Sequence, residues 1–543
     1  MATTVIVGGV AGGMSTATRL RRNCENREII VLEASDYVSF ANCGLPYHVG
    51  GVIEERSALL LQTPESLKAR FNIDVRVGTR GRVVSIDRAA RTVTTETGET
   101  IAYDELVLSP GATPRALNIP GEERALSLRL VEDMDAITKA AASAKSAVIL
   151  GGGFIGLELA ENFTHLGVRT TVVQAAPHIM GGLDPEMAEV LTQHIEKHGV
   201  KVLVGARAQE ITPDEVLLSD GTRLAADLVI SAAGVIPNSE LARNAGLELS
   251  PEGAILVDEQ QRTSDPTIYA LGDAAAKRDA ISGEDVLVPL AQTANRHGRL
   301  VADEIAGKSV ASRPVLGTAI IGLFGMAAAS VGWNERRARA AGKNLRVIHL
   351  HPANHAGYYP GASQLHIKVI VDVDTDTLLG AQVIGKDGVD KRIDVLAVAM
   401  RAGMKASELA DLELAYAPQF GSAKDPINMV GFINDNAVHG ERTIQWHELD
   451  RTISEGAILV DVRTPGEHAA GSIPGAVNYS LDDLRQRWQE RKGKDVVVHC
   501  QVGLRGHIAA SLLRGYGIDA ANLDGGYLTW RYGVAADTRT PKQ

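Results

Sequence analysis

The sequence predicts an α/β chain. Two βαβ units come first, an α+β segment follows, and a second small α/β domain closes the chain. Two stretches in the first half share one order of strand, glycine turn, helix and strand. The pattern then changes after Gly317, and a polar stretch, Asn434, Asp435, Asn436 and His439 to Arg442, precedes a further strand-and-helix alternation. At 543 residues the chain is too long for one core, and a prior of ~150 residues per domain implies about three or four.

The first unit opens with Thr4, Val5, Ile6 and Val7, a β-branched run that reads as a strand. The turn Gly8-Gly9-Val10-Ala11-Gly12-Gly13 comes next, then a helix through Arg22 and a strand at 28–32 that ends on Glu33. Such a turn lets backbone N–H groups approach a pyrophosphate at the positive end of the following helix, and an acid after the second strand takes ribose hydroxyls. Gly8, Gly12, Gly13 and Glu33 are therefore candidate cofactor contacts. Val10 stands where the fingerprint has its second glycine.

The second unit repeats the order: strand 147–150, then Gly151, Gly153 and Gly156 all in place, a helix through Leu166, and strand 169–173. Gln174 occupies the strand end. A carboxylate there would favour NADH and an arginine just beyond would favour NADPH; Gln174-Ala175-Ala176 is neither, so the choice stays open. One glycine motif is a weak signal. Two, each in the right strand–helix context, predict a pair of Rossmann-like dinucleotide-binding domains.

The remaining elements follow in order. Alternating polarity near 81–113 and 200–235 predicts small antiparallel additions to the two units. The longest apolar tract, 318–333, is interrupted by Gly322, Gly325 and Ser330, and reads as buried strand and turn. Strands at 364–372 and 379–384 precede a helix at 390–402, which fits a separate α+β domain.

Composition narrows the function classes. Hydrophobic residues make up 45% and charged residues 22%, as in a folded globular chain. The net charge of −11 argues against wholesale binding to nucleic acid or anionic membranes. The three cysteines, Cys24, Cys43 and Cys500, do not make a disulfide scaffold and fit a reducing compartment. The N-terminal residues run straight into a strand without a signal-like stretch, so a cytoplasmic location is expected. No metal site is expected.

The segment from Thr263 to Asp273, ending Tyr269-Ala270-Leu271-Gly272-Asp273, resembles the second flavin motif of the pyridine nucleotide-disulfide oxidoreductase superfamily, the two-dinucleotide disulfide reductases. The connectors Leu108-Ser109-Pro110-Gly111-Ala112 and Ala232 to Asn238 match as well. The resemblance implies FAD with Asp273 at its ribityl and phosphate region, and NAD(P)H at the second unit. It divides the chain into an FAD-binding domain at 1–113 and 234–315, an NAD(P)-binding domain at 114–233, a dimerisation domain at 316–433, a linker at 434–442 and a last domain at 443–543.

Within the first domain lies Ser39-Phe40-Ala41-Asn42-Cys43-Gly44-Leu45-Pro46-Tyr47. Glutathione-reductase-type enzymes carry a second cysteine at dithiol spacing, but Val38 and His48 stand at those positions here. Cys43 is thus expected to act as a single thiolate, through a mixed disulfide or a sulfenic acid. Cys24 is expected to be structural. The Ser-Phe-x-x-Cys-Gly-x-Pro-Tyr pattern resembles the CoA-disulfide reductase branch, in which the cysteine sits over the flavin and positive surroundings keep its pKa low.

That resemblance implies coenzyme A as a tightly bound ligand or substrate. Ser15, Arg19 and Arg22 fall at helical spacing on the first helix, where the arginines would meet CoA phosphates. By resemblance Ser39 and Asn42 also touch CoA, with Asn295 on a helix at 291–305 and Lys424 as further candidates. Tyr358-Tyr359-Pro360-Gly361 and Tyr416-Ala417-Pro418-Gln419-Phe420 resemble the stretches whose tyrosines reach the partner subunit's cysteine in a homodimer. Tyr416 transfers directly; of the adjacent pair, Tyr358 is favoured over Tyr359.

The last domain contains Leu459-Val460-Asp461-Val462-Arg463, Ser472-Ile473-Pro474-Gly475, Cys500-Gln501-Val502-Gly503-Leu504-Arg505 and Asp524-Gly525-Gly526-Tyr527. It resembles a rhodanese domain, with Ser472 in place of the usual histidine. Its loop turns successive N–H groups towards Cys500 at a helix start, with Arg505 closing it, and this favours a thiolate or persulfide anion. A phosphatase loop would be one residue longer.

The combination resembles the NAD(P)H-dependent persulfide, polysulfide or CoA-persulfide reductases. The expected function is reduction of such substrates through Cys43, with sulfur relay by Cys500. The alternatives weighed are a CoA-disulfide reductase, an NADH oxidase or peroxidase, and a non-enzymatic redox-sensing or scaffold protein.

Overall fold

The computed structural model describes residues 2–491 and 493–539, so the last four residues of the expected C-terminal domain lie outside the described residues. The chain forms two compact units, 1–173 with 207–317, and 174–206 with 318–543.

The first unit is built on a five-stranded parallel sheet in the order Ile268–Ala270, Glu105–Leu108, Thr3–Val7, Glu28–Leu32, Asp74–Arg76. Both faces are covered, which is why its central strands are apolar without alternation: Val5, Ile6, Ile29, Val31, Leu106 and Val107 are all buried. Helix Ala11–Asn23 packs on helix Ala291–Ile305, and Cys24 caps the first of these and packs against the core. Strand Ser146–Leu150 pairs in parallel with Arg169–Gln174 and with Leu228–Ser231, giving the second βαβ unit with helix Phe154–His165. The two antiparallel additions appear as three-stranded sheets, Val83–Asp87 with Thr92–Thr95 and Thr100–Ala102, and Ala208–Ile211 with Glu215–Leu218 and Arg223–Ala225.

The second unit contains an antiparallel five-stranded sheet in the order Ala319–Leu323, Met326–Gly332, Thr377–Gly385, Leu365–Asp372, Leu345–Leu350. The apolar tract at 318–333 is thus a hairpin of two strands. A separate parallel sheet, Thr443–Ile444, Ala520–Leu523, Val496–His499, Ile458–Asp461, Val477–Asn478, forms the core of the C-terminal domain. Helix Pro185–Lys197, in the middle of the expected NAD(P) segment, belongs to this second unit. It lies against the last helix, Gly526–Arg539, where Arg539 pairs with Glu189 and Glu196.

The expected linker at 434–442 begins inside a helix. Pro426–Val438 is continuous, and Asn434, polar in sequence, is fully buried because its side chain bonds Arg346 Nη1 at 2.8 Å and Asp376 Oδ1 at 2.8 Å. No helix among the described residues is long and apolar enough to cross a membrane.

Candidate functional site

The two glycine turns are shaped for close backbone approach. Gly8 has φ +100°, and a Cβ there would lie 2.0 Å from the Ser109 carbonyl oxygen; one on Gly13 would lie 1.8 Å from Gly8 O. A Cβ on Gly12 would strike Leu271 and Ser109. In the second turn Gly151, at φ +126°, and Gly156 are equally constrained, whereas a Cβ on Gly153 would meet nothing within 4 Å. Gly153 therefore faces open space of the kind a pyrophosphate occupies. Gln174 ends its strand, half-buried.

Glu33 is buried, and its two carboxylate oxygens accept from Gly9 N–H at 2.6 Å and Ser35 N–H at 2.9 Å. These bonds fix the acid beside the turn while each oxygen retains a second lone pair for a ribose hydroxyl. Asp273 receives Arg129 Nη2 at 2.9 Å, and Arg129 O in turn accepts from Asn42 Nδ2 at 3.2 Å. This chain ties the Asp273 loop to the residue preceding Cys43.

Cys43 lies on the short 3₁₀ turn Asn42–Gly44, at the entry to helix Leu45–Val49, and is open to solvent. The walls around it still displace enough water to raise its thiol pKa. The carboxylates of Glu158 and Asp273 add to that rise, and Arg129 opposes it. The low pKa implied by the resemblance is not found in the chain's own surroundings, where two acids outweigh one guanidinium. Ser39 adopts φ +50° and its N–H donates to Gly9 O at 2.8 Å, which fastens the cysteine segment to the first glycine turn.

The expected CoA contacts are only partly gathered. Ser15 Oγ and Asn295 Oδ1 are hydrogen-bonded across the two packed helices. Arg19 is held by Asp303 through two bonds, Nε–Oδ1 at 2.8 Å and Nη2–Oδ2 at 3.1 Å, while Arg22 on the same helix is exposed. Asp303 also binds Asn23 and Lys308 and sits well below the usual carboxylate range: burial opposes its charge, but the Arg19, Lys308 and Asn23 bonds outweigh it.

In the second unit the Tyr358 and Tyr416 hydroxyls lie 3.1 Å apart, and both side chains are exposed. Tyr359 instead makes an edge contact with His355. Lys424 is exposed, next to Asp425, whose carboxylate receives Arg392 at 2.9 Å.

Cys500 is buried at the end of strand Val496–His499, and Gly503, at φ +99°, donates its N–H to Cys500 Sγ at 3.2 Å. Helix Leu504–Gly515 starts immediately afterwards, so the sulfur faces its positive end. Arg505 is clamped by Glu467 at 2.8 and 2.5 Å. Arg505 holds the Glu467 carboxyl down to about 2. Arg463 stacks on Tyr527 and reaches Gln501 Oε1 at 3.0 Å.

Sequence reasoning missed several of these groups. Glu158 accepts from the Tyr47 hydroxyl at 3.1 Å, and burial raises its carboxyl to about 7. Glu158 sits two residues after Gly156 in an otherwise apolar turn of helix, a signal that was present but is shared by many solvated acids. Arg129 carried no such mark, and Glu467 stood within the rhodanese-like run without an assigned role. Three carboxylates, Asp184, Glu186 and Glu335, lie close enough to hold a cation, and the buried Lys368 ammonium fills that role at 2.9, 2.5 and 2.7 Å.

Comparison with known proteins agrees with this architecture. The family model of pyridine nucleotide-disulphide oxidoreductases matches residues 2–298, its dimerisation-domain model matches 318–425, and the rhodanese-like domain model matches 445–532. A coenzyme A disulfide reductase of Staphylococcus aureus is 34% identical over 436 residues, covering 79% of this chain and 98% of that protein. The structure of reduced Bacillus anthracis CoADR-RHD superposes with a TM-score of 0.96 at 43% identity, covering 98% of each chain. An NAD-dependent persulfide reductase from A. fulgidus superposes at 0.92 with 35% identity, over 98% of this chain and 100% of that one. The chain belongs to the pyridine nucleotide-disulphide oxidoreductase family, which uses FAD and NAD(P)H, and it carries a rhodanese-like domain over residues 445–532.

Proposed function

We propose that the protein is a reductase that uses NAD(P)H to reduce CoA persulfide, other persulfides or polysulfides at Cys43, with Cys500 supplying sulfane sulfur. The observation that carries this reading is the pairing of two distinct sulfur sites in one chain. Cys43 is a solvent-open single thiol, and Cys500 is a buried thiol at a helix start with the Gly503 N–H on its sulfur. The A. fulgidus and B. anthracis structures, alike over nearly the whole chain, support it.

FAD fits the first glycine cradle with Gly8, Gly12, Gly13, Glu33 and Asp273, and NAD(P)H fits the second with Gly151, Gly153, Gly156 and Gln174. When bound, the flavin supplies two-electron transfer between nicotinamide and thiol. The chain's own residues do the sulfur chemistry. The Cys43 thiolate attacks the CoA-bearing sulfur of CoA persulfide, the S–S bond breaks, and hydrosulfide leaves with the electron pair. The mixed disulfide between Cys43 and CoA then takes two electrons from NAD(P)H, releasing CoA thiol and restoring the Cys43 thiolate.

Tyr416 from the partner protomer protonates the leaving sulfur, and Tyr358 orients its hydroxyl. Ser15, Arg19, Arg22, Ser39, Asn42, Asn295 and Lys424 hold the CoA moiety, with Arg22 and Lys424 the exposed cations for its phosphates. A homodimer is supported by the dimerisation-domain match, and a cytoplasmic location by thiols that must stay reduced. Reduction of CoA disulfide by the same cysteine is the second reading, favoured by the likeness to the S. aureus reductase.

Anaerobic NAD(P)H oxidation with CoA persulfide, polysulfide or CoA disulfide, beside a separate aerobic arm with oxygen alone, tests the proposal. Persulfide turnover with release of hydrogen sulfide supports it. Turnover with oxygen alone overturns it.

A further inference from the structure

The loop that holds Cys500 is braced from outside its own domain. Gly526, at φ +64°, lies so close that a Cβ there would be 2.5 Å from Cys500 O and 2.9 Å from Gly503 N. Tyr527 N–H donates to Cys500 O at 2.8 Å and Leu528 N–H donates to Gln501 O at 3.1 Å. The segment from Asp524 to Thr529 is therefore the bed on which the sulfur-carrying loop rests.

That bed is gripped by the antiparallel sheet. Asp524 Oδ2 accepts from the His349 backbone N–H at 2.9 Å and from His349 Nδ1 at 2.7 Å. Gln445 Nε2 donates to the same oxygen at 3.1 Å. Gly525 packs on His349, where a Cβ would come within 2.8 Å of the His349 Cβ, and Thr529 Oγ1 lies 2.8 Å from His351 Nε2. His349 is the penultimate residue of strand Leu345–Leu350 of the domain that matches the dimerisation model, and its sequence separation from Asp524 is 175 residues.

The other face of the ring is fixed as well, with Nε2 3.0 Å from Glu186 Oε1. Burial opposes a charge on this imidazole, but the bonds to Asp524 and Glu186 outweigh it and raise its pKa to about 9. Lys368, on the neighbouring strand and bonded to the same Glu186 oxygen, works against that charge, and His351 follows just past the end of the His349 strand. His349 thus donates from both ring nitrogens to buried carboxylates, a geometry that leaves the ring one orientation.

We propose that His349 is a positioning residue for sulfur transfer at Cys500: through Asp524 it holds the Gly525–Gly526 turn against the Cys500 loop. The proposal rests on the reading of Cys500 as a sulfur carrier. The sulfur step is an exchange in which the Cys500 thiolate attacks the outer sulfur of thiosulfate, sulfite leaves with the electron pair, and a persulfide forms. Cyanide then takes that sulfur as thiocyanate and restores the thiolate. The Gly503 N–H acts on the sulfur only while the loop keeps its place.

The test uses the full-length FAD-loaded protein, with thiosulfate and cyanide as probes and thiocyanate as readout, and CoA-disulfide reduction as a second activity that does not need Cys500. For His349→Gln, and for the nearly isosteric Asp524→Asn, kcat for thiocyanate formation is expected to fall about 10-fold or more with KM for thiosulfate changed by less than about twofold. CoA-disulfide reduction should stay within about twofold of wild type. The double variant should fall no further than His349→Gln alone, because both residues act through one contact. If His349→Gln does not accumulate as folded protein, Asp524→Asn carries the same expectation.

Additive losses in the double variant, or unchanged thiocyanate kcat in Asp524→Asn, would overturn the positioning role. Failure of the underlying reading looks different: the wild type would form no thiocyanate, or Cys500→Ser would keep forming it.

Discussion

The hydroxyl of Tyr358 lies 3.1 Å from that of Tyr416, whereas the adjacent Tyr359 turns to His355. The hydrogen bond raises the Tyr358 pKa, so the phenol stays protonated over the working range and can donate to Tyr416. Tyr416→Phe should lower kcat for CoA-disulfide reduction by about 10²-fold, Tyr358→Phe by about tenfold, and Tyr359→Phe hardly at all. Equal losses at Tyr358 and Tyr359 would assign the stretch a packing role instead.

Glu158 raises the pKa of Cys43, and its own carboxyl is pushed up to about 7 by burial. Below pH 7 it is neutral and exerts little field; above it the carboxylate holds the Cys43 proton on. In Glu158→Gln, peptide-mapped iodoacetamide labelling of Cys43 should match wild type near pH 6 and be about twofold or more faster above pH 8. A variant that tracks wild type across the range would remove Glu158 from the thiol's electrostatics.

The glycines of the second turn should separate by consequence. A Cβ on Gly156 would sit 2.1 Å from Gly151 O, so Gly156→Ala should destabilise the fold by about 1–3 kcal/mol or more in thermal unfolding. Gly153→Ala meets no protein atom within 4 Å, so its melting should be unchanged while KM for the nicotinamide cofactor rises. A loss of stability in Gly153→Ala would contradict the open cradle.

Lys368 is fully buried among Asp184, Glu186 and Glu335, and their charges raise its pKa although burial opposes it. Lys368→Met leaves three carboxylates facing one another and should cost about 3–5 kcal/mol near neutral pH. Freed of the ammonium, these acids take up protons as the pH falls, so the deficit should shrink towards pH 5 in denaturant titrations. A deficit independent of pH would mean that lost packing, not charge, is the cause.

The fold was legible where local pattern and tertiary structure agree. The two βαβ units follow from apolar strands meeting glycine turns, and the hairpin at Ala319–Gly332 from an apolar tract broken by Gly322 and Gly325. Asn434 misled because a buried amide with two partners looks, in sequence, like the polar end of a helix. Arg19 was legible as a helical cation but not as the partner of Asp303, which lies on another helix. The Tyr47–Glu158 and His349–Asp524 contacts were not legible, since each depends on residues brought together from far apart in the chain, and no spacing encodes that.

The central claim is that every sulfur substrate is reduced through Cys43. Anaerobic NAD(P)H consumption by Cys43→Ser, loaded with FAD and supplied in turn with CoA persulfide and CoA disulfide, tests it most directly. The account predicts loss of turnover with both substrates by at least about 10³-fold, with cofactor content and melting temperature retained. Undiminished turnover of either substrate would contradict it.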